Sequence, residues 1–351
     1  MERKCGKCKT EEGIVWTTDG ARCEDCFCVV TMHSVKTILS RNKLAMFKSR
    51  ICVSSNPPST SSAALMAVLD ECLKPGPKRK ASRMSFEVIV LHVRLPMELF
   101  GSGEKGKESM ESLAKLYGFQ FQEVQLEESI VTSLKAIRDL DDRIDLVQGA
   151  VRSSLIQKTK AMECSVLLVS PNATDLAVDV MAKTIKGRGG AIPDEVSPAM
   201  EYASVKIGRP FIELTARHVT RYSRLRKVDK YAVSTEFFNS PDSSLTRIAE
   251  KFVLQLQEMQ PSTSTTVLRT AAKLRKNEAA MLCPACASRD VLIGRGADRV
   301  GRSRGSEDTH PLCAVCTEKD MNMSGETVVD LARAFCRATV NEFTLDTEEQ
   351  E

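Results

Sequence analysis

The stretch ICVSSNPPSTSSAALMAVLDECL (Ile51–Leu73) reads as a strand, a loop and a helix in immediate succession. ICVS is a short apolar run of strand type. AALMAVLDECL has helical periodicity, with a serine placed to cap it and a Pro/Gly/Lys-rich segment after Leu73 to stop it. Working outward, the same alternation recurs. FEVIVLHV (Phe86–Val93) reads as a second strand, and the Gly-rich GSGEKGK leads into a helix expected over 108–117. FQFQEVQL (Phe119–Leu126) alternates with period two, as a third strand does. Helices are expected over 128–138 and 141–160, and SVLLVS (Ser165–Ser170) reads as a buried strand feeding a helix over 175–186. A fifth short strand is expected at Pro210–Leu214, and an amphipathic helix over 30–40. Strands alternating with helices indicate an α/β fold built on a doubly wound parallel sheet. Ligands of such sheets bind beyond the carboxyl ends of the strands, so the loops after Val53, Val93 and Val169 are where a site is expected. A later helix opens at Ser240 and Pro241 and stops at Pro261; its stripe of Leu245, Ile248, Ala249, Phe252 and Leu256 is expected to pack in the core.

A loop between strand and helix can cradle a phosphate on backbone N–H groups and the helix N-terminus. Here it reads Ser54, Ser55, Asn56, Pro57, Pro58, Ser59, Thr60, Ser61, Ser62. Prolines have no N–H to give, and without glycine the backbone loses the positive-φ geometry such cradles use. Two readings stand at this point: a nucleotide site stripped of its parts, or a serine-rich turn that caps a helix.

Eight of the thirteen cysteines form four C-x-x-C pairs, Cys5/Cys8 with Cys23/Cys26 and Cys283/Cys286 with Cys313/Cys316. Each turn aims two thiolates at one point, so two turns close a four-thiolate shell of the kind that holds zinc. The remaining cysteines lack that spacing. Cys52 and Cys164 read as small buried hydrophobes, Cys72 gives no further signal, and Cys28 and Cys336 stay unassigned. The histidines, His33, His92, His218 and His310, show no triad spacing.

With 351 residues, 42% of them hydrophobic, the chain can build a large α/β core with small modules attached. No stretch reaches the roughly 18 to 20 apolar residues of a membrane span, and MERKCGKCKT has no signal-peptide run; a soluble cytoplasmic protein without a membrane partner is expected. Net charge is only +4, but basic residues gather in Lys74–Arg83, in Ala216–Lys230 and in Gly294–Gly305, which points to a polyanion. Arg221, Arg224, Arg226 and Lys227, with Arg295, Arg299, Arg302 and Arg304, are candidates for phosphate contacts. Aromatic residues are too few for a stacking platform, so RNA contact is expected to rest on shape and phosphates.

Taken in order, CEDCF (Cys23–Phe27), the degenerate serine loop, SPNATDLAVDVMAKTIKGRGG (Ser170–Gly190), PSTSTTVLRTAAKL (Pro261–Leu274) and LCAVC (Leu312–Cys316) resemble the cytoplasmic tRNA 2-thiolation protein 2 family over nearly the whole chain. The resemblance implies a PP-loop domain, of adenine nucleotide alpha hydrolase-like type, over about 41–276. A zinc module and linker helix over 1–40, a second zinc module over 277–325, and a C-terminal helix and acidic tail over 326–351 would flank it. In active relatives a Ser-Gly-Gly-x-Asp-Ser loop grips ATP. The matching positions here are Ser54, Ser55 and Asn56, with Ser61 and Ser62 beyond, and both glycines and the acidic residue are gone. A second motif, Gly-His-Asn-x-Asp-Asp, keeps only Asn172 and Asp175. Arg94 stands where active relatives carry an acidic residue. The family's role implies no ATP binding by this chain, no catalytic residue of its own, and a heterodimer with the active paralogue, cytoplasmic tRNA 2-thiolation protein 1. The pair would act on wobble uridine of tRNA for Lys, Gln and Glu, with sulfur from a thiocarboxylated ubiquitin-related modifier. Two other readings stay open, a working ATP-dependent tRNA sulfurtransferase and a zinc-dependent protein-interaction adaptor of RING-like type.

Overall fold

The computed structural model describes residues 4–17, 20–75, 84–202, 204–233 and 244–275, with two short strands at 280–281 and 291–292. In chain order the elements are β1 (Val15–Thr17), β2 (Gly20–Arg22), α1 (Glu24–Arg41), β3 (Ser49–Ser54), α2 (Thr60–Leu73), β4 (Phe86–Arg94), α3 (Gly103–Leu116), β5 (Gln120–Gln125), α4 (Glu128–Ala136), α5 (Leu140–Ala161) and β6 (Val166–Leu168). There follow α6 (Ala173–Ile185), α7 (Ile192–Glu195), β7 (Ala199–Tyr202), β8 (Val205–Gly208), α8 (Ala216–Leu225), α9 (Leu245–Met259), α10 (Thr263–Ala271), β9 (Ala280–Met281) and β10 (Val291–Leu292).

The central sheet runs β5-β4-β3-β6-β8-β7 and is parallel except for β7, which pairs antiparallel with β8. Period-two alternation covers both of its faces. Ile51, Val53, Val88, Val90, Val166 and Leu168 face one core with α1, α2, α3, α6 and α8. Cys52, Ile89, Leu91, Leu167 and Ile207 face the other, against Leu155 and Ile156 of α5. Chain order moves outward from β3 to β5 and then returns to β6 beside β3, so the switch point lies between the carboxyl ends of β3 and β6.

Two expectations are corrected. Pro210–Leu214 is not a strand: the fifth and sixth strands are the hairpin β7–β8, which turns at Ser204 with φ 60°, and the apolar Phe211, Ile212 and Leu214 are buried in the turns that follow. The stripe on α9 is core only at Ala249. The helix lays Thr246, Ala249 and Val253 against α6, which leaves Leu245, Ile248 and Phe252 exposed by 38%, 48% and 46%. Its start at Ser240 and Pro241 falls outside the described residues, and Ser244 is its N-cap. The helix expected over 30–40 begins earlier, at Glu24, because Cys23 serves as its N-cap.

Partners from other helices fix the late elements. The Asp141 carboxylate of α5 accepts from the backbone N–H of Leu245 (2.8 Å) and Thr246 (3.3 Å), and from Lys186 Nζ at 2.9 Å. Glu195, buried beside β7, meets Arg152 (2.8 Å), Lys183 (2.9 Å) and Arg209 (3.0 Å). Burial alone would raise its carboxyl, yet the three cations hold it well below the usual range. No described helix is long and apolar enough to cross a membrane.

Candidate functional site

The loops after β3 and β6 meet at the switch point, and the structure brings most of the expected residues together there. Ser62 Oγ lies 3.1 Å from Ser170 Oγ, and Asn172 Nδ2 donates to Ser61 Oγ at 3.2 Å. Both bonds span the crevice in which nucleotides sit in folds of this class.

Most of the loop's backbone donors are already spent, which leaves only the N–H groups of Thr60 and Ser61 at the start of α2 without a partner among those described. Ser55 N–H gives its hydrogen to Leu91 O (3.0 Å), Asn56 N–H to Ser54 Oγ (3.2 Å) and Ser59 N–H to Pro57 O (2.7 Å). Ser62 N–H donates to Ser59 Oγ (3.3 Å) and Ala63 N–H to Ser59 O (3.0 Å). Pro57 and Pro58 have none. The Asn56 amide goes further: Nδ2 donates to Val93 O at 2.8 Å, while Oδ1 accepts from Val93 N at 2.7 Å. A side chain thus copies one rung of the β-ladder and seals β3 against β4 where a phosphate would need room. Val233 N–H donates to Pro58 O (2.8 Å), so a later segment also lies against the loop.

The survivors of the second motif are a helix cap. Asn172 Oδ1 accepts from Thr174 N–H (2.9 Å) and Asp175 N–H (3.2 Å), and Asp175 Oδ2 accepts from Asn172 N–H (3.1 Å) in a capping box. Burial pushes the Asp175 carboxyl up to about 7. Sequence reasoning missed two neighbours. His92, buried on β4, sits 2.9 Å from Ser55 Oγ through Nδ1, and burial lowers its pKa to about 4. Beside it, Lys107 bridges Glu104 (3.0 Å) and Glu123 (2.9 Å), and Arg94 joins both acids at 3.1 and 3.5 Å. Arg94, noted as a departure from active relatives, is therefore spent on an ion-pair cluster; its acidic partners are scattered in sequence and gave no motif.

The first cysteine set is a centre of a different kind. Cys5, Cys8, Cys23 and Cys26 place their sulfurs within 4.8 Å of one another, with Cys8 Sγ 3.9 Å from Cys23 Sγ. A tetrahedron with Zn–S bonds of about 2.3 Å has edges of about 3.8 Å, so the spacing fits one ion in a four-thiolate shell. Local folding explains the arrangement. Lys9 closes the first knuckle with its N–H on Cys5 O (2.9 Å) at φ 61°, the β1–β2 hairpin carries the chain back, and Cys23 and Cys26 stand at the start of α1. The helix N-terminus favours anionic sulfur. Backbone N–H groups of Cys8 and Cys23 lower the Cys5 thiol to about 6, whereas burial and the neighbouring sulfurs push Cys26 up to about 12. Four thiolates crowded in this way need a cation, and these residues are able to hold a metal ion. Cys28, Cys52 and Cys72 are buried, and burial raises their thiols to about 11, 12 and 12, which suits small core side chains.

On α8, Arg221 and Arg224 are exposed and Lys227 follows on the surface, with Arg221 reaching Ile14 O of the cysteine module at 3.5 Å. Arg226 is engaged differently, paired with Glu71 and laid over the Tyr222 ring. Cys283, Cys286, Cys313, Cys316, Arg295, Arg299, Arg302, Arg304, His310 and Cys336 lie outside the described residues, as does the basic segment 76–83.

Comparison with known proteins falls on the same family. The sequence model of the family described as cytoplasmic tRNA 2-thiolation protein 2 matches residues 244–342. A curated protein of that name from Drosophila ananassae is 22% identical over 301 residues, covering 78% of this chain and 73% of the relative. The protein of that name from Homo sapiens is 22% identical over 349 residues, covering 78% and 68%. Among solved structures, the U34-tRNA thiolase NcsA from Methanococcus maripaludis, with its [4Fe-4S] cluster, superposes with a TM-score of 0.64 at 16% identity, over 91% of this chain and 96% of that one. The family resemblance read from the sequence is borne out, and so is the PP-loop α/β fold.

Proposed function

We propose that this chain takes part in 2-thiolation of wobble uridine in cytoplasmic tRNA for Lys, Gln and Glu, as the subunit that leaves ATP chemistry to its partner. Support for a place in tRNA 2-thiolation comes from the family match and the curated relatives of that name. The observation that carries the noncatalytic part is the spent loop: the N–H groups of Ser55, Asn56, Ser59, Ser62 and Ala63 are already bonded, and Asn56 fills the approach through Val93. A triphosphate would have to break these bonds with no glycine to re-form a cradle.

In this reading the active paralogue, cytoplasmic tRNA 2-thiolation protein 1, completes a cytoplasmic heterodimer and supplies the nucleotide loop. Sulfur arrives from a thiocarboxylated ubiquitin-related modifier. This chain contributes tRNA-facing surface through Arg221, Arg224 and Lys227, joined by Arg295, Arg299, Arg302 and Arg304. Arg226 is a weaker contributor, since Glu71 already neutralises it. Zinc in each four-cysteine set clamps the ends of the domain. The test is mass spectrometry of wobble 2-thiouridine in cells lacking this chain, complemented with the intact protein or with Cys→Ser changes in each set. Loss of the thiolated nucleoside in the deletion, restored by the intact chain, is expected. Unchanged 2-thiouridine in the deletion overturns the proposal.

A further inference from the structure

Between α1 and β3 the chain makes a turn, RNKLAMFKSR (Arg41–Arg50), whose surface the fold itself does not use. Met46 is 57% exposed and Phe47 73% exposed. Phe47 is thus an aromatic side chain turned to solvent in a chain that is only 5% aromatic. Lys48 Nζ stands 5.6 Å from the centroid of its ring. The turn carries four cations and no carboxylate. Arg50 is taken up by Glu87 at 3.5 Å, but Arg41, Lys43 and Lys48 have no acidic partner among the described residues.

The turn is also held in shape. Lys43 and Lys48 sit in the left-handed region at φ 52° and 57°. Leu44 N–H donates to Leu39 O (2.8 Å), Lys48 N–H to Ser85 O at the entry to β4 (2.6 Å), and Ser49 Oγ to Met46 O (2.8 Å). Leu44 is fully buried and plugs the turn onto the sheet over Gly208, where an added Cβ would come within 2.6 Å of Leu44 Cδ1. The rigid mount presents Phe47 outward at the amino ends of β3 and β4, the end of the sheet opposite the switch-point crevice.

We propose that this turn is an RNA contact in which an unpaired base stacks on Phe47 while Arg41, Lys43 and Lys48 meet the flanking phosphates. It rests on the tRNA reading above and adds a specific element to it. The chemistry selects the occupant. A base offers a π-face to the ring and its backbone offers anions to the cations, so one ligand answers both features. An acidic peptide would satisfy the lysines and leave the ring unaddressed. A dry protein interface over Met46 and Phe47 would strip water from lysines that have no partner.

The test measures binding of an unmodified transcript of tRNA for Lys to the full-length chain across a salt series. Phe47→Ala is expected to weaken binding about 5- to 150-fold, the loss of one base–aromatic stack, with the salt slope unchanged. Phe47→Trp is expected to keep or improve affinity, and Phe47→Leu to behave like Phe47→Ala. The pair Lys43→Gln, Lys48→Gln is expected to reduce the log–log salt slope by about 1.4, two single-strand phosphate contacts. Exposure of both sites means that folding is not at stake, and an unchanged thermal midpoint checks this. Phe47→Ala binding as tightly as wild type, or Phe47→Leu restoring full affinity, overturns the proposal and leaves the tRNA reading standing. Displacement of the transcript by poly-glutamate to the same degree from wild type and Phe47→Ala also overturns it, as a mere cation patch. A wild-type chain that binds no transcript overturns both.

Discussion

The Thr31 hydroxyl lies 2.7 Å from Nε2 of His218, and through this contact α1, which carries the clustered thiol of Cys26 just after Cys23, is tied to α8 with its basic face. Thr31 Oγ1 already donates to Phe27 O at 2.9 Å, so His218 Nε2–H is the donor between the pair. The Phe27 ring stacks on the imidazole with centroids 4.3 Å apart. Thr31→Val keeps the shape and removes the acceptor, leaving a half-buried imidazole N–H unpaired. A loss of about 1 to 3 kcal/mol is expected, read as a lower urea midpoint at unchanged m-value. Thr31→Ser is expected to recover most of it, and equal losses for Val and Ser would refute a hydrogen-bonding role.

Acid should act through buried imidazoles. Burial lowers both His92 and His218 to about 4, against an ordinary value of 6.5. Between those values the unfolded chain binds protons that the folded chain refuses, so their contribution is full above pH 6.5 and is lost as pH falls toward 4. The Asp175 carboxyl, raised to about 7, has the opposite sign: its contribution is full below 3.8 and is lost as pH rises through 7. A difference curve separates the two. Urea midpoints of wild type minus His92→Asn should be flat above pH 7 and should shrink steadily below 6.5. A difference that stays constant down to pH 4.5 would show that His92 titrates normally.

Much of this arrangement was legible because it is local or periodic. The strand–loop–helix at Ile51–Leu73 became β3 and α2, and the C-x-x-C spacing alone located the Cys5, Cys8, Cys23, Cys26 cluster. The expectation for Pro210–Leu214 failed because apolar residues are needed wherever the chain is buried, in turns as well as strands, while β8 itself, with Lys206 and Gly208, has a weak apolar signal. The stripe on α9 misled because periodicity shows that a helix has an apolar face without showing which neighbour takes it. The Asn56–Val93 rung and the Asp141 cap join residues far apart in the chain, so no window of sequence could display them.

Metal content should separate the two cysteine sets. Cys5→Ser removes the most anionic thiol of the first set and is expected to lower bound zinc by one ion per chain, measured by elemental analysis. Cys283→Ser is expected to lower it by one further ion when combined. Loading the apo chain should release protons, because Cys26, raised to about 12, must ionise to bind. Zinc content unaffected by Cys5→Ser would sink the first site, and proton-neutral loading would show that the thiols were not the ligands.

The Asp141 carboxylate does work on a helix to which it does not belong, and this makes α9 sensitive to a distant charge. Burial pushes the group up, but Lys186 and the N–H of Leu245 outweigh it and hold its pKa down at about 2. Asp141→Ala removes the acceptor for Leu245 and Thr246 and one of the two carboxylates on Lys186, whose side chain is only 5% exposed; Asp145 remains at 3.0 Å. A missing cap costs about 0.5 to 2 kcal/mol, and a partly unpaired buried cation adds to it. Asp141→Asn keeps an oxygen for the helix N-terminus and loses only the charge, so it is expected to fall between wild type and Ala. Hydrogen exchange localises the effect: the amides of Leu245 and Thr246 should lose protection in Asp141→Ala well before those of β3. If protection at those amides is unchanged while global stability drops, Asp141 acts through Lys186 alone and the cap is not part of its role.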